Sequence, residues 1–548
     1  MNIRRCLIPF IFLLAFNSCA NKIQVDQIFR NGTIYTVDET FSTKEAMAIK
    51  DGIILAVGKE DAIIGKYAAS EIIDLEGAFT YPGLIDAHCH FVSYGVNLQN
   101  ADLTGTSSFE EIIVILKEYQ EKYPSEWIQG RGWDQNDWER KEFPSKEKLD
   151  QAFPGKPVLL TRIDGHGAIA STEALRRAKV TRETSIEGGA LITKDGALTG
   201  MLIDRAIGLV RRVMPKAGRQ DYLNALMQGQ KKCFEVGLTS VHDAGLGYET
   251  IDLIDSLQSA GELKMRIYAM LSPGKKNYEH YLLKGIYKTD RLNVRSIKLF
   301  ADGALGSRGA LLFEPYADDP GNLGLAVNTD KFLRDQCELA YEHGYQVNTH
   351  CIGDSANRWM LEMYGAFLKG QNDRRWRIEH AQIIHPDDFS KFGEYDIIPS
   401  VQSTHATSDM YWAEDRVGAN RIKGAYAYKD LLEENGWLPN GSDFPVEHIN
   451  PLYGYYALVA RKDHKGWPAG GFQKEQTFNR EQAIRAMTIW AARSAFEENE
   501  KGSLEPGKLA DFIVTGEDLL TIQEEDIPGL QISRTYIGGE LVYSQKER

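Results

Sequence analysis

The sequence contains no CxxC pair, and its 6 cysteines are scattered through 548 residues, so no disulfide framework can be read from it. It has no excess of positive charge. The formal net charge of −14 disfavours binding to nucleic acid or to an anionic membrane. It has no solenoid-type repeat and no long low-complexity tract. A composition of 43% hydrophobic and 26% charged residues is ordinary for a globular chain and carries no signature of disorder. The apolar run at residues 6–16 is too short to span a bilayer. Arg4 and Arg5 precede it, which makes it the core of a signal peptide.

Phe16-Asn17-Ser18-Cys19 follows that run and resembles a bacterial lipoprotein signal, with Phe16 standing where leucine is usual. The expectation is a signal peptide over 1–19 and export, to the periplasm or to a membrane-anchored lipoprotein state. Cys19 would become the lipidated first residue and the sole membrane attachment.

Both ends of the mature chain read as β-rich. Asn31-Gly32 and Asp51-Gly52 mark tight turns near the start, and Gly538-Gly539 marks one near the end. Neither end has enough strands for its own core, so residues 22–81 and 497–548 are expected to share a composite β-sandwich. Between them lie eight short apolar runs separated by helix-length amphipathic segments. They end near His90, Asp243, Met270, Phe300, His350, His380, Gln402 and Asp443. Such runs are buried on both faces, and their alternation with helices predicts a parallel sheet. Eight units predict an α/β fold, a (β/α)₈ TIM-type barrel over 82–496. The gap between the first two runs is too long for one helix and predicts an insertion at about 100–220, holding Trp127, Trp133 and Trp138.

The chemistry sits at the ends of these runs. His88 and His90 are two apart, so in a strand both imidazoles face the same way, toward the barrel interior. Two imidazoles held there suit a divalent ion. His350 and His380 each end a run. Taken singly either could be a hydrogen-bonded core histidine; four histidines from three strand ends point at one rim. Asp443 ends the eighth run, as a buried carboxylate near the metal or as a turn cap. In the catalytic reading, the ion lowers the pKa of its water to about 7 and Asp443 carries the proton to a leaving amine. Lys298 lies within the apolar Ser296-Ile297-Lys298-Leu299-Phe300. Burial would free its amine to form a carbamate; pairing with Asp302, or an outward orientation, is the plainer account. Cys89 and Cys351, beside histidines, read as buried free thiols.

These stretches together resemble the amidohydrolase superfamily, specifically its YtcJ-like branch, which is similar to N-substituted formamide deformylases. The matching segments are 82–90, 298–308, 350–354, 379–382, 402–409, 441–445 and 502–512. The resemblance implies His88 and His90 on one metal, His350 and His380 on a second, and a carboxylated Lys298 bridging them. Asp443 would be both ligand and acid/base. Zinc is the expected metal, as one or two ions. His166 would reach from the insertion toward substrate, and His405 would polarise a carbonyl or contact substrate. Arg308 could hold a substrate carboxylate, and Trp133 could line the pocket; an ion pair and an insertion-core aromatic are the alternatives.

The expected activity is hydrolysis of a non-peptide carbon–nitrogen bond in a small amide by metal-hydroxide attack. A metal-dependent dipeptidase and an ester or cyclic-amide hydrolase are rival enzymes. A lipid-anchored binding protein without turnover is the rival of another class. A homodimer is compatible with all of these.

Overall fold

In the computed structural model, which describes residues 22–545, the eight apolar runs form consecutive strands of one parallel sheet. They are β1 Leu84–Cys89, β2 Leu238–Leu246, β3 Arg266–Leu271, β4 Leu292–Phe300, β5 Gln346–Cys351, β6 Arg377–His380, β7 Ile398–Gln402 and β8 Asn440–Gly441. Every residue of β1, β3, β5, β6 and β7 is buried. That is the burial expected when helices cover one face of a sheet and the barrel core fills the other. The register sets Lys298 opposite Asn348 and His350 opposite Glu379, so side chains from neighbouring strands reach one level.

β8 is only two residues long, and the ring closes just beyond it. Asp443 N–H donates to the His88 carbonyl at 2.7 Å, and His90 N–H donates to the Phe444 carbonyl at 2.8 Å. Gly441 permits this approach. A Cβ there would stand 2.4 Å from the His88 nitrogen, where nothing can give way.

Sequence signals place the outer helices. Thr329 caps Asp330–His343 by accepting from Phe332 N–H, and Gly344, left-handed at φ 70, ends it. Among the described residues, no helix is long and apolar enough to cross a membrane.

Between β1 and β2 stands a six-stranded sheet. Its strands, in spatial order, are Gly189–Lys194, Ala197–Asp204, Gly167–Ala170, Val158–Arg162, Ile128–Trp133 and Ala101–Asp102. It has its own core, in which Trp133 and Trp138 stack at 5.8 Å. Two further sheets stand at the chain ends: a four-stranded one from residues 23–74 alone, and a six-stranded one in which the ends meet by pairing Phe79–Pro82 with Phe512–Thr515. Phe29 packs edge-on against Phe512, which stacks on Tyr536 at 4.4 Å. Arg266 of β3 ties this unit to the barrel through a buried two-pronged pair with Asp511. The signal segment and Cys19 lie outside the described residues.

Candidate metal centre

The strand ends on the carboxyl side of the barrel bring six predicted side chains into one chain of contacts. Ligand-type atoms of His88, His380 and Asp443 all lie within 4.8 Å of one another, and all three residues are buried. His90 Nε2 is 3.1 Å and His88 Nε2 is 3.6 Å from Asp443 Oδ1. Lys298 Nζ is 3.3 Å from His88 Nε2, rather than paired with Asp302. The His350 ring lies 4.5 Å from that of His380. His380 and Asp443 have φ of 75° and 60°, left-handed values that non-glycine residues adopt at a cost. Such strain persists where the surroundings dictate it, as they do at functional sites.

The electrostatics favour bare lone pairs. Burial, then the nearby Lys298 cation, pushes His88 down to about 4. Burial, then His350, holds His380 well below its ordinary value; burial, then His166, does the same to His350. These imidazoles are neutral at pH 7. For Asp443 burial opposes the charge, but the hydrogen bond and charge interaction with His90 hold its pKa well below the ordinary carboxylate value. Burial lowers Lys298 to about 8, so an appreciable fraction of its amine is neutral near pH 7.

A divalent cation fits this donor set. His380 Nδ1 and Asp443 Oδ1 are buried, and neither has a hydrogen bond of good geometry. Buried polar atoms are rarely left so, and neutral imidazoles converging on a carboxylate are what zinc-like ions bind. Cys89 and Cys351 are buried free thiols.

Above the cluster opens a cavity of about 1260 Å³ between barrel and inserted sheet. His166 and His405 both line it. His405 stacks against His380 at 5.8 Å, with Nε2 3.9 Å from Asp443. The His166 ring lies 4.9 Å from His350, and its Nδ1 contacts Asp204 at 2.5 Å. Burial opposes a charge on His166, yet Asp204 outweighs it and raises the pKa.

Two expectations need correction. Arg308 is not in the cavity wall; its guanidinium turns to Asp318, with Nη2 to Oδ2 at 2.8 Å. Trp133 is fully buried in the core of the insertion, donating from Nε1 to the Leu160 carbonyl at 3.0 Å, and it is Trp138 that lines the cavity.

Sequence reasoning passed over the residues that hold the candidate ligands. Glu379, fully buried, contacts His88 Nδ1 at 2.6 Å and pairs with buried Arg377 at 2.7 Å. Burial opposes its charge, but Arg377 and His88 hold it below the usual carboxylate range. Asp86 accepts from His88 N–H and Ser442 N–H, each at 3.1 Å, and from Ser442 Oγ at 2.6 Å, so one carboxylate joins the first and last strands. The available signal was a charge inside an otherwise apolar run, two residues before His88 in one case and directly before His380 in the other.

The sequence profile of the amidohydrolase family matches residues 71–543. The Bacillus subtilis (strain 168) protein named "Putative amidohydrolase YtcJ" is 31% identical over 530 residues, covering 94% of this chain and 99% of that one. The N-substituted formamide deformylase of Arthrobacter pascens is 23% identical, covering 95% and 98%. The crystal structure of an uncharacterised metal-dependent hydrolase from Pyrococcus horikoshii OT3 superimposes with a TM-score of 0.74 at 28% identity, over 91% of this chain and 99% of that one.

Proposed function

The chain belongs to the amidohydrolase family of metal-dependent hydrolases, and on that premise we propose that it hydrolyses a non-peptide carbon–nitrogen bond in a small amide. The observation that carries the reading is the buried convergence of His88, His380 and Asp443 at the foot of the cavity. The relatives named for amide and formamide hydrolysis support the bond type.

His88, His90, His350, His380 and Asp443 would hold the metal, zinc in this proposal. Lys298 would join them as a carbamate, its neutral amine adding carbon dioxide with release of one proton. When bound, the ion supplies Lewis-acid polarisation of the scissile carbonyl and acidification of water. Asp443 takes the proton of the attacking water and returns it to the leaving nitrogen, which needs a carboxylate ionised at rest. His405, its pKa lowered by burial, and His166, its pKa raised by Asp204, would steady the carbonyl oxygen as negative charge develops on it. Glu379 fixes the His88 ring through Nδ1, leaving Nε2 for the ion.

The test combines metal analysis of the purified protein with a panel of N-formyl and N-acyl amines, dipeptides and esters. Bound metal with turnover of the amines supports the reading. Preferential turnover of dipeptides or esters would replace it. Metal binding without turnover of anything would leave a binding protein. Asp443→Ala should lose both metal and turnover. Native mass spectrometry showing no carbon dioxide adduct on wild type would remove the carbamate from the scheme. Export and lipidation at Cys19 are proposed from the sequence alone; a Cys19→Ala protein that still partitions with membranes would refute the anchor.

A further inference from the structure

Five lysines and arginines line the cavity; Lys141 and Lys465 are exposed to solvent, and two of the other three have partners. Arg162 is held by Asp134, Asp164 and Gln135, and Lys462 pairs with Glu524 at 2.6 Å. Arg131 differs. It lines the cavity, yet Nη2 reaches only a backbone acceptor, the Ile163 carbonyl at 2.8 Å, and the buried Nε has no partner. Among the described residues, no carboxylate comes within ion-pair distance of it. The nearby Asp164 is occupied by Arg162 and by the His166 and Gly167 N–H groups.

The backbone aims Arg131 deliberately. Residues 131 and 133 of a regular strand would share a face. Here the pairing with Val158–Arg162 shifts between them: Arg131 faces Thr161 and Trp133 faces Arg162. Gly132 is the extra residue, at φ 116, and a Cβ on it would lie 2.4 Å from Thr104 Oγ1. This bulge sends Trp133 into the insertion core and leaves Arg131 on the cavity side. Its Nη1 lies 3.4 Å from where a Cβ on Gly165 would sit, beside His166, whose ring packs on His350. Burial, then repulsion from Arg211, pulls its pKa down to about 10, so it remains a cation at neutral pH.

A half-buried guanidinium with a buried, unpaired Nε next to the reacting centre is a receptor for a planar anion, which it can grip with two parallel N–H groups. We propose that Arg131 binds a carboxylate of the substrate, so that the amides hydrolysed here carry a carboxylate on one fragment. This rests on the amide-hydrolysis reading above and narrows it.

The test uses the metal-loaded full chain and a matched pair, N-formylphenylalanine and N-formylphenylalaninol, which differ by carboxylate against hydroxymethyl. Wild type should favour the acid by about 30-fold or more in kcat/KM, the least expected from one buried charge pair. Arg131→Gln should erase that preference, mainly by raising KM for the acid, while the alcohol keeps its rate. Arg131→Lys should restore part of it. Equal turnover of both by wild type, or an equal fall on both in Arg131→Gln, would overturn the proposal. If wild type hydrolyses neither, the amide reading fails on its own. Calorimetric binding of the same pair then decides Arg131: tighter binding of the acid, lost in Arg131→Gln, supports it, and equal affinities refute it.

Discussion

Replacing Glu379 by glutamine removes the one negative charge that lies against both Arg377 and His88. The side chain keeps its size, so cavity terms drop out and the effect is electrostatic. Breaking a fully buried pair from one side costs about 3–5 kcal/mol. The lower figure applies here, because Arg377 keeps the Ala87 carbonyl and Ser400 Oγ at 2.5 and 2.8 Å. For a chain this long about 3 kcal/mol moves the thermal midpoint by only ~3 °C, a small readout. The sharper one is metal affinity. His88 loses the carboxylate that orients its ring and supports its basicity, and such losses weaken binding by about 10- to 100-fold. Competition against a chromogenic chelator would measure this on wild type and Glu379→Gln. Thermal unfolding of the metal-free forms separates the Arg377 contribution, and the extra stabilisation on adding metal should shrink by about 1.4 kcal/mol per tenfold loss. A Glu379→Gln protein that binds metal within twofold of wild type would refute the orienting role.

Gly441→Ala should be far more damaging than a surface alanine, since its Cβ would meet His88 N at 2.4 Å and Asp86 Oδ1 at 2.8 Å; metal content and urea unfolding should both fall, by about 2 kcal/mol or more in stability. Arg308→Gln, which breaks a partly exposed pair with Asp318, should change stability by about 1 kcal/mol or less and leave kcat/KM within about threefold; a large rise in KM would return Arg308 to the substrate. For Asp511, burial raises the pKa but Arg266 outweighs it and holds the folded value below the unfolded one. The unfolded chain therefore binds the proton more readily, so the stability gap between wild type and Asp511→Asn should be full above about pH 4 and close as pH falls further. Urea midpoints for the two proteins at several pH values would check the sign, and a gap that widens on acidification would refute it.

The barrel was legible because the strands are short buried runs and most of them end in a polar residue: Val347-Asn348-Thr349-His350 and Asn440-Gly441-Ser442-Asp443 announce both the strand and its chemistry. What escaped were partnerships. Nothing near Glu379 in the sequence says that its carboxylate reaches His88, because that contact spans 291 positions. For Trp133 the sequence leaves pocket and insertion core both open, because a period of two cannot register the bulge at Gly132, which changes which residues share a face. For Arg308 the sequence leaves a substrate carboxylate and an ion pair both open, because Asp318 becomes its partner only once the connecting loop folds back.

The seam between the first and last strands has a consequence for biogenesis. Asp86 and Ser442, which clasp across it, are 356 positions apart. A ribosome releases His88 early and Asp443 late, so most of the polypeptide is made before the ring can shut. A truncated product ending ahead of that seam would lack Asp443, the proposed acid/base, and the bonds that close the wall beside it. Premature termination is thereby expected to yield an inert fragment instead of a half-competent catalyst.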